Sequence, residues 1–218
     1  MSADDDTDRA DERARMVARQ LRARDIDDER VLRACATVPR ELFVPPEVAA
    51  DAYTDRPLPI GLGVTISQPY IVALMTQALD LSPTDRVLEV GTGSGYGAAV
   101  LGALAAHVTT IETLTEHADA ARRRLRDLGD LGDRVEVVTG DGSLGHPPGA
   151  PYDAISVTAA AAEVPAPLLD QLAPGGRLIM PVGERVEELV RITRTAGGDR
   201  REVLTRVRFV PLTGRHGR

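Results

Sequence analysis

The chain has 218 residues, 43% of them hydrophobic, and a formal net charge of −7, which allows one sizeable core and argues against wrapping a phosphate backbone. With two Phe, four Tyr and no Trp, it lacks the aromatic surface of a nucleic-acid stacking platform. All 26 basic residues are Arg, Cys35 is the lone cysteine and closes no internal disulfide, and no apolar run reaches the roughly 20 residues of a membrane span.

Residues 1–8 are read as a disordered acidic tail, with no apolar secretory stretch, so the expected location is the cytoplasm. A helical pattern runs through MVARQLRARD. A second helix is expected from an N-cap at Asp27, carrying Val31, Leu32 and Cys35 inward and ending before Pro39. Between residues 37 and 69, six prolines cut the chain into short extended pieces, among them TISQP. From Pro69 onward the pattern changes: YIVALMTQALDL puts Ile71, Met75, Ala78 and Leu79 on one helical stripe.

Alternation follows. RVLEV (86–90) is a short apolar strand, GAAVLGALAA a helix and HVTTIE (107–112) a strand. TEHADAARRRLRDL is a helix on Leu114, Ala118, Ala121, Leu125 and Leu128. RVEVVTGD and YDAISVTAA are strands, VPAPLLDQLA is a short helix, and GGRLIMPVG, VEELVRITRT and REVLTRVRFVPL are further strands. Strands alternating with helices predict an α/β fold, its sheet mostly parallel and covered by helices on both faces. The expected organisation is a single domain: N-terminal helices and a covering segment over 9–68, then the sheet over 69–218.

Ligands of such a sheet bind at the carboxyl ends of the strands. After the first strand come Gly91, Thr92, Gly93, Ser94 and Gly95; glycines let the backbone turn tightly and approach a ligand, and the next helix offers free N–H groups. The second strand ends in Glu112, which suits both hydroxyls of a ribose. The third ends in Gly140, Asp141 and Gly142, where an acid can accept from an adenine amino group. Together these fit an adenosine across the sheet edge. The spacing G-x-G-x-G, with Glu89 two residues ahead, disfavours a pyrophosphate and suits a sulfonium or an amino-acid ammonium. The cofactor expected is S-adenosyl-L-methionine, and the chemistry methyl transfer. Glu89 has a second reading, organising the loop through backbone N–H groups.

Seven segments carry a closer resemblance: VPRELFVP (38–45), PLPIGLGVTISQPYIVALMT (57–76), RVLEVGTGSGY (86–96), GDG (140–142), APYDAISVTAA (150–160), GGRLIMPVG (175–183) and VRFVPL (207–212). The chain resembles the protein-L-isoaspartate (D-aspartate) O-methyltransferases, and TISQP with EVGTGSGY is far more specific to them than the glycine loop alone. The resemblance implies a Rossmann-like methyltransferase sheet of about seven strands and a cytosolic monomer acting on isoaspartyl-containing proteins and peptides. It implies methylation of the free α-carboxylate of L-isoaspartyl residues, which starts repair through a succinimide, with S-adenosyl-L-homocysteine as the other product. It carries the family's active-site serine to Ser67, the cofactor loop to Gly91, Thr92 and Gly93, the acid after the second strand to Glu112, and the GDG pair to Asp141 and Gly142. Family members often read GQTISQP and GSGYQ where this chain has Val64 and Gly97.

The chemistry asks for little machinery. A free α-carboxyl, with a pKa of about 3.5, is already an anion at neutral pH, so no general base is needed. Hydroxyls orient it without adding repulsive charge. Thr65 and Ser67 flank Ile66, and in an extended segment both hydroxyls share a face. Val64 and Ile66, with Val157, Thr158 and Ala159 of the small-residue run, complete the expected substrate contacts, beneath a cover of Pro57, Pro59, Ile60 and Leu62. His107, His117, His146 and His216 show no metal spacing. A second reading is an aspartate O-methyltransferase for one dedicated precursor peptide, often longer at its C-terminus; here six residues follow VRFVPL. A regulatory cofactor binder is a third reading, against which the intact TIS and GDG argue. An NAD-linked oxidoreductase fits least.

Overall fold

The structure is a computed structural model that describes residues 3–217. Helix α1 (Ala3–Met16) begins inside the stretch expected to be disordered, of which residues 1 and 2 lie outside the described residues. Its later turns are tied to the rest of the chain: Arg9 donates to the Ala49 carbonyl, and Arg13 to the Ala36 carbonyl and the Tyr53 hydroxyl. Such tertiary anchors hold helices that composition alone leaves marginal.

After a π-helical stretch (Val17–Arg22) comes α2 (Glu29–Thr37). Its N-cap is Asp28 rather than the expected Asp27: the Asp28 carboxylate accepts from the Arg30 N–H at 2.8 Å, while the Asp27 N–H donates to Gln77 Oε1 at 2.9 Å. Cys35 is buried on the inner face of α2, and burial pushes its thiol up to about 12. The proline-rich stretch forms two short 3-10 turns (Arg40–Phe43 and Pro46–Asp51) and an antiparallel hairpin of β1 (Leu58–Gly61) and β2 (Val64–Ile66).

Helix α3 (Pro69–Ala78) leads into the alternating part. Its elements are β3 (Arg86–Val90), α4 (Tyr96–Gly102), β4 (His107–Glu112), α5 (Thr115–Arg126), β5 (Val135–Thr139), β6 (Tyr152–Val157) and α6 (Ala166–Asp170). The long strands β7 (Leu172–Val182), β8 (Glu187–Thr195) and β9 (Gly198–Val207) follow. One seven-stranded sheet results, in the order β5-β4-β3-β6-β7-β8-β9. Pairings from β5 through β7 are parallel, and β8 and β9 add antiparallel. This is the parallel-centred sheet that the alternation predicts and the seven-stranded Rossmann-like one that the resemblance implies.

Both faces of the sheet's parallel centre are dry, while β9 at its edge is largely exposed. Leu88, Val90, Ile155 and Leu178 pack on one side with Leu168 of α6, and Val87, Val108, Ala154 and Ile179 on the other with Leu79 and Leu101. The N-terminal elements add a third cluster, in which Leu32, Phe43 and Leu58 pack with Tyr96 and Val100 of α4. The topology reverses at β3, which pairs with β4 on one side and β6 on the other. That reversal opens a crevice at the strands' carboxyl ends, the usual ligand position in open α/β sheets, and the hairpin lies beside it.

Candidate active site

The loop after β3 is built on left-handed backbone: φ is 96° at Gly91, 52° at Gly93 and 92° at Gly95. A side chain at Gly91 would also collide with Thr158 Oγ1. The Thr158 hydroxyl donates to the carbonyls of Gly91 (2.7 Å) and Val90 (3.1 Å), so it braces the loop from the far side.

Beneath the loop runs a buried polar chain. Thr110 Oγ1 donates to Glu89 Oε2 at 2.6 Å and sits 2.7 Å from Thr92 Oγ1. Glu89 is 1% exposed. Burial pushes its carboxyl up to about 8, the Thr110 hydroxyl opposes that rise, and the neighbouring Glu112 charge adds to it. Burial therefore favours the protonated form of Glu89 over the standing carboxylate expected from the sequence. Glu89 organises the loop through threonine hydroxyls, not through backbone N–H groups. Gly97 makes room for it, because a Cβ there would fall on Glu89 Oε1.

Glu112, at the end of β4, accepts from the Gly93 N–H (2.8 Å) and the Leu114 N–H (3.0 Å). Each oxygen keeps a lone pair for a ligand.

These groups line one pocket of about 400 Å³. Its walls hold Val64, Thr65, Ile66 and Ser67 from the hairpin; Glu89, Gly91, Thr92, Gly93 and Ser94 from the loop; and Glu112, Gly142, Thr158 and Ala159 from the other strand ends. In β2, Ile66 is buried and Thr65 exposed, and Ser67, the first residue after the strand, is half-buried.

Two expected residues are not brought to this pocket. The Asp141 carboxylate accepts from the Ser143 N–H (2.9 Å) and hydroxyl (2.6 Å) and from the Arg215 N–H (2.8 Å). Burial works against its charge, yet these donors together hold the carboxyl below its usual range. Val157, the last residue of β6, is fully buried in the core. The turn toward the pocket begins one residue later, at Thr158.

Conversely, Tyr96, Gly97 and the stretch Val210–Thr213 line the pocket without having been singled out for it. The C-terminal stretch carried a signal in VRFVPL, but a continuous strand was expected there. β9 in fact stops at Val207, and the chain crosses to Ala160, whose N–H donates to the Val210 carbonyl and whose carbonyl accepts from the Leu212 N–H, both at 2.8 Å.

Known proteins match this arrangement. The family model described as protein-L-isoaspartate (D-aspartate) O-methyltransferase matches residues 12–217. A protein-L-isoaspartate O-methyltransferase of Methanoculleus marisnigri is 56% identical over 207 residues, covering 94% of this chain and 93% of the relative. One from Rhodopseudomonas palustris is 55% identical over 218 residues, covering 99% and 88%. Among solved structures, a protein-L-isoaspartate O-methyltransferase superposes with a TM-score of 0.84 at 30% identity, covering 94% of this chain and 67% of its own. A putative one from Plasmodium falciparum, in complex with S-adenosyl-L-homocysteine, gives 0.78 at 27% identity, covering 92% and 98%. By sequence over nearly its whole length and by fold, the chain belongs to the protein-L-isoaspartate (D-aspartate) O-methyltransferase family.

Proposed function

We propose that this enzyme transfers a methyl group from S-adenosyl-L-methionine to the free α-carboxylate of L-isoaspartyl residues in damaged proteins and peptides, with Ser67 and Thr65 orienting that carboxylate. One observation carries the assignment of these two residues: the hydroxyl segment and the glycine loop are walls of the same pocket.

The residues present fit the cofactor. A volume of about 400 Å³ lies within the range of small-molecule sites, and Glu112 keeps acceptor capacity beside the loop. Glu89, Gly91 to Ser94, Glu112 and Gly142 would hold the cofactor. Asp141 would contribute through the turn it caps, since its own carboxylate is engaged. When bound, S-adenosyl-L-methionine supplies an electrophilic methyl group and leaves as S-adenosyl-L-homocysteine.

The protein's own part is orientation. The substrate carboxylate is ionised at neutral pH and needs no base. Ser67 and Thr65 donate to it, fix its direction and add no charge, so the gain is geometric. Ile66, Val64 and Ala159 give the peptide an apolar bed. Val157 supports that bed from the core, and Thr158 braces the loop. The methyl ester then cyclises without the enzyme to a succinimide, which hydrolyses in part to normal aspartate.

In this reading the enzyme is a cytoplasmic monomer of one domain, its residues 9–68 covering the substrate, with isoaspartyl proteins as partners and neither nucleic acid nor membrane. The net charge of −7 supports the exclusion of nucleic acid, and among the described residues no helix is long and apolar enough to cross a membrane. The relatives' names do not favour the precursor-peptide alternative.

The test is methyl transfer from labelled cofactor to an isoaspartyl peptide beside its aspartyl twin. Base-labile methyl ester on the isoaspartyl peptide alone is expected. Equal labelling of both, or labelling of the twin only, would overturn the reading.

A further inference from the structure

Arg40 is the largest fully buried side chain in the protein's described residues, with no exposed surface. Among those residues no carboxylate stands within ion-pairing distance of it. Its Nε donates to the Ala52 carbonyl at 2.8 Å and its Nη2 to the Ser67 carbonyl at 2.7 Å. Its Cζ lies 4.8 Å from the centroid of the Tyr96 ring, and Nη1 is buried without a partner.

This is an expensive arrangement for a core. A buried guanidinium stays charged, and a well-packed apolar side chain of similar volume usually serves stability as well or better. The fork does what no apolar group can. It joins two separate segments through their carbonyls, and its charge lies over the ring of a third element. Those three are the covering segment at Ala52, the hydroxyl segment at Ser67, and Tyr96, the first residue of α4 directly after the glycine loop.

We propose that Arg40 is a positioning residue for the methyl transfer: it fixes the peptide plane of Ser67, and thereby the direction of the Ser67 hydroxyl, relative to the helix that carries the cofactor loop. The proposal rests on the reading of Ser67 as the residue that orients the substrate carboxylate. Arg40 itself is not among the pocket's lining residues, so it acts through Ser67. The Tyr96 ring keeps an edge-on contact with Phe43, at 5.6 Å between centroids. That contact to α4 does not involve the guanidinium.

The experiment compares Arg40→Met, Arg40→Lys, Ser67→Ala and the double variant Arg40→Met with Ser67→Ala, well below the melting temperature of the least stable protein. Arg40→Met is expected to lower kcat on isoaspartyl peptide about 10- to 100-fold, the cost of a misplaced orienting group, with cofactor Kd within about twofold. Arg40→Lys should recover part of kcat, because one ammonium still reaches the Ser67 carbonyl. In the Ser67→Ala background, Arg40→Met should cost less than about threefold, since residues acting as a unit are not additive. A folded Arg40→Met with normal kcat overturns the proposal, as do losses that multiply in the double variant. If both Arg40 variants fail to fold, Arg40 serves stability alone and the proposal falls. An impaired Ser67→Ala beside an unimpaired Arg40→Met defeats this inference only. An unaltered Ser67→Ala defeats the reading of Ser67 and this inference with it.

Discussion

Replacing Glu89 by Gln leaves the shape of the site nearly unchanged and removes its most perturbed carboxyl group. In the folded chain this carboxyl rises from its ordinary 4.5 to about 8; at 1% exposure, solvent screening gives little discount. Below pH 4.5 the folded and unfolded chains both hold the proton, and the carboxyl costs nothing. As pH climbs from about 4.5 to about 8, the unfolded chain gives up the proton while the folded chain keeps it. Stability therefore falls by up to about 1.4 kcal/mol per pH unit and levels off above that window. Gln cannot ionise, so the variant should escape the decline. Between pH 5.5 and 7.5 the stability difference should move in favour of Glu89→Gln by about 2–3 kcal/mol. For a chain of this size that is about 4–12 °C in melting temperature. Urea and thermal unfolding of the two proteins at pH 5.5, 6.5 and 7.5 measure the difference directly. Curves that run parallel across the window would show that Glu89 is ionised in the folded state and that the buried threonine chain, not a proton, stabilises it.

Other perturbations test neighbouring parts of the site. Glu112→Ala should weaken cofactor binding by about 1–3 kcal/mol, because a charged acceptor is lost and two backbone N–H groups lose their partner; calorimetry with unchanged affinity would remove Glu112 from the site. Gly97→Ala drives a methyl group onto Glu89 Oε1 and should cost about 1–3 kcal/mol of stability, well beyond an ordinary surface substitution; a variant as stable as the parent would mean that Glu89 moves aside freely. Val64→Gln supplies one polar contact beside Ser67, so the Michaelis constant for isoaspartyl peptide should drop about two- to tenfold, matching roughly 0.5–1.5 kcal/mol. A higher constant for the peptide would show a rim shaped around an apolar contact.

Local patterns made most of the fold readable. Strands such as RVLEV announce themselves by short apolar runs between turn residues, and their alternation with helices dictates a parallel sheet whatever the packing details. The positions of Gly91, Gly93 and Glu112 follow from strand ends alone. Where the reading missed, the deciding contact was distant in sequence or the choice lay between neighbours. Asp27 and Asp28 are equally good caps on paper; the Gln77 side chain, about fifty residues on, accepts from both of their N–H groups and fixes the entry to the helix, in which the Asp28 carboxylate is the one that reaches the Arg30 N–H. Asp141 is claimed by the Arg215 N–H, 74 residues downstream. Val157 and Thr158 differ by one step at a strand end, and periodicity does not fix which of them turns out of the sheet. The protonation of Glu89 depends on full burial under α4, which no pattern of charges reveals.

The buried thiol on α2 offers a way to watch this protein breathe. At a pKa of about 12, Cys35 is almost wholly a thiol at physiological pH, and the thiol form is a poor nucleophile. Alkylating reagents should therefore leave the native enzyme untouched and react only when the cluster around Arg40 and Tyr96 parts. With no second cysteine in the chain, the rate of single-site labelling becomes a clock for that opening. Read with and without cofactor, it times how often the covering segment lifts away from α4, with no probe grafted onto the molecule.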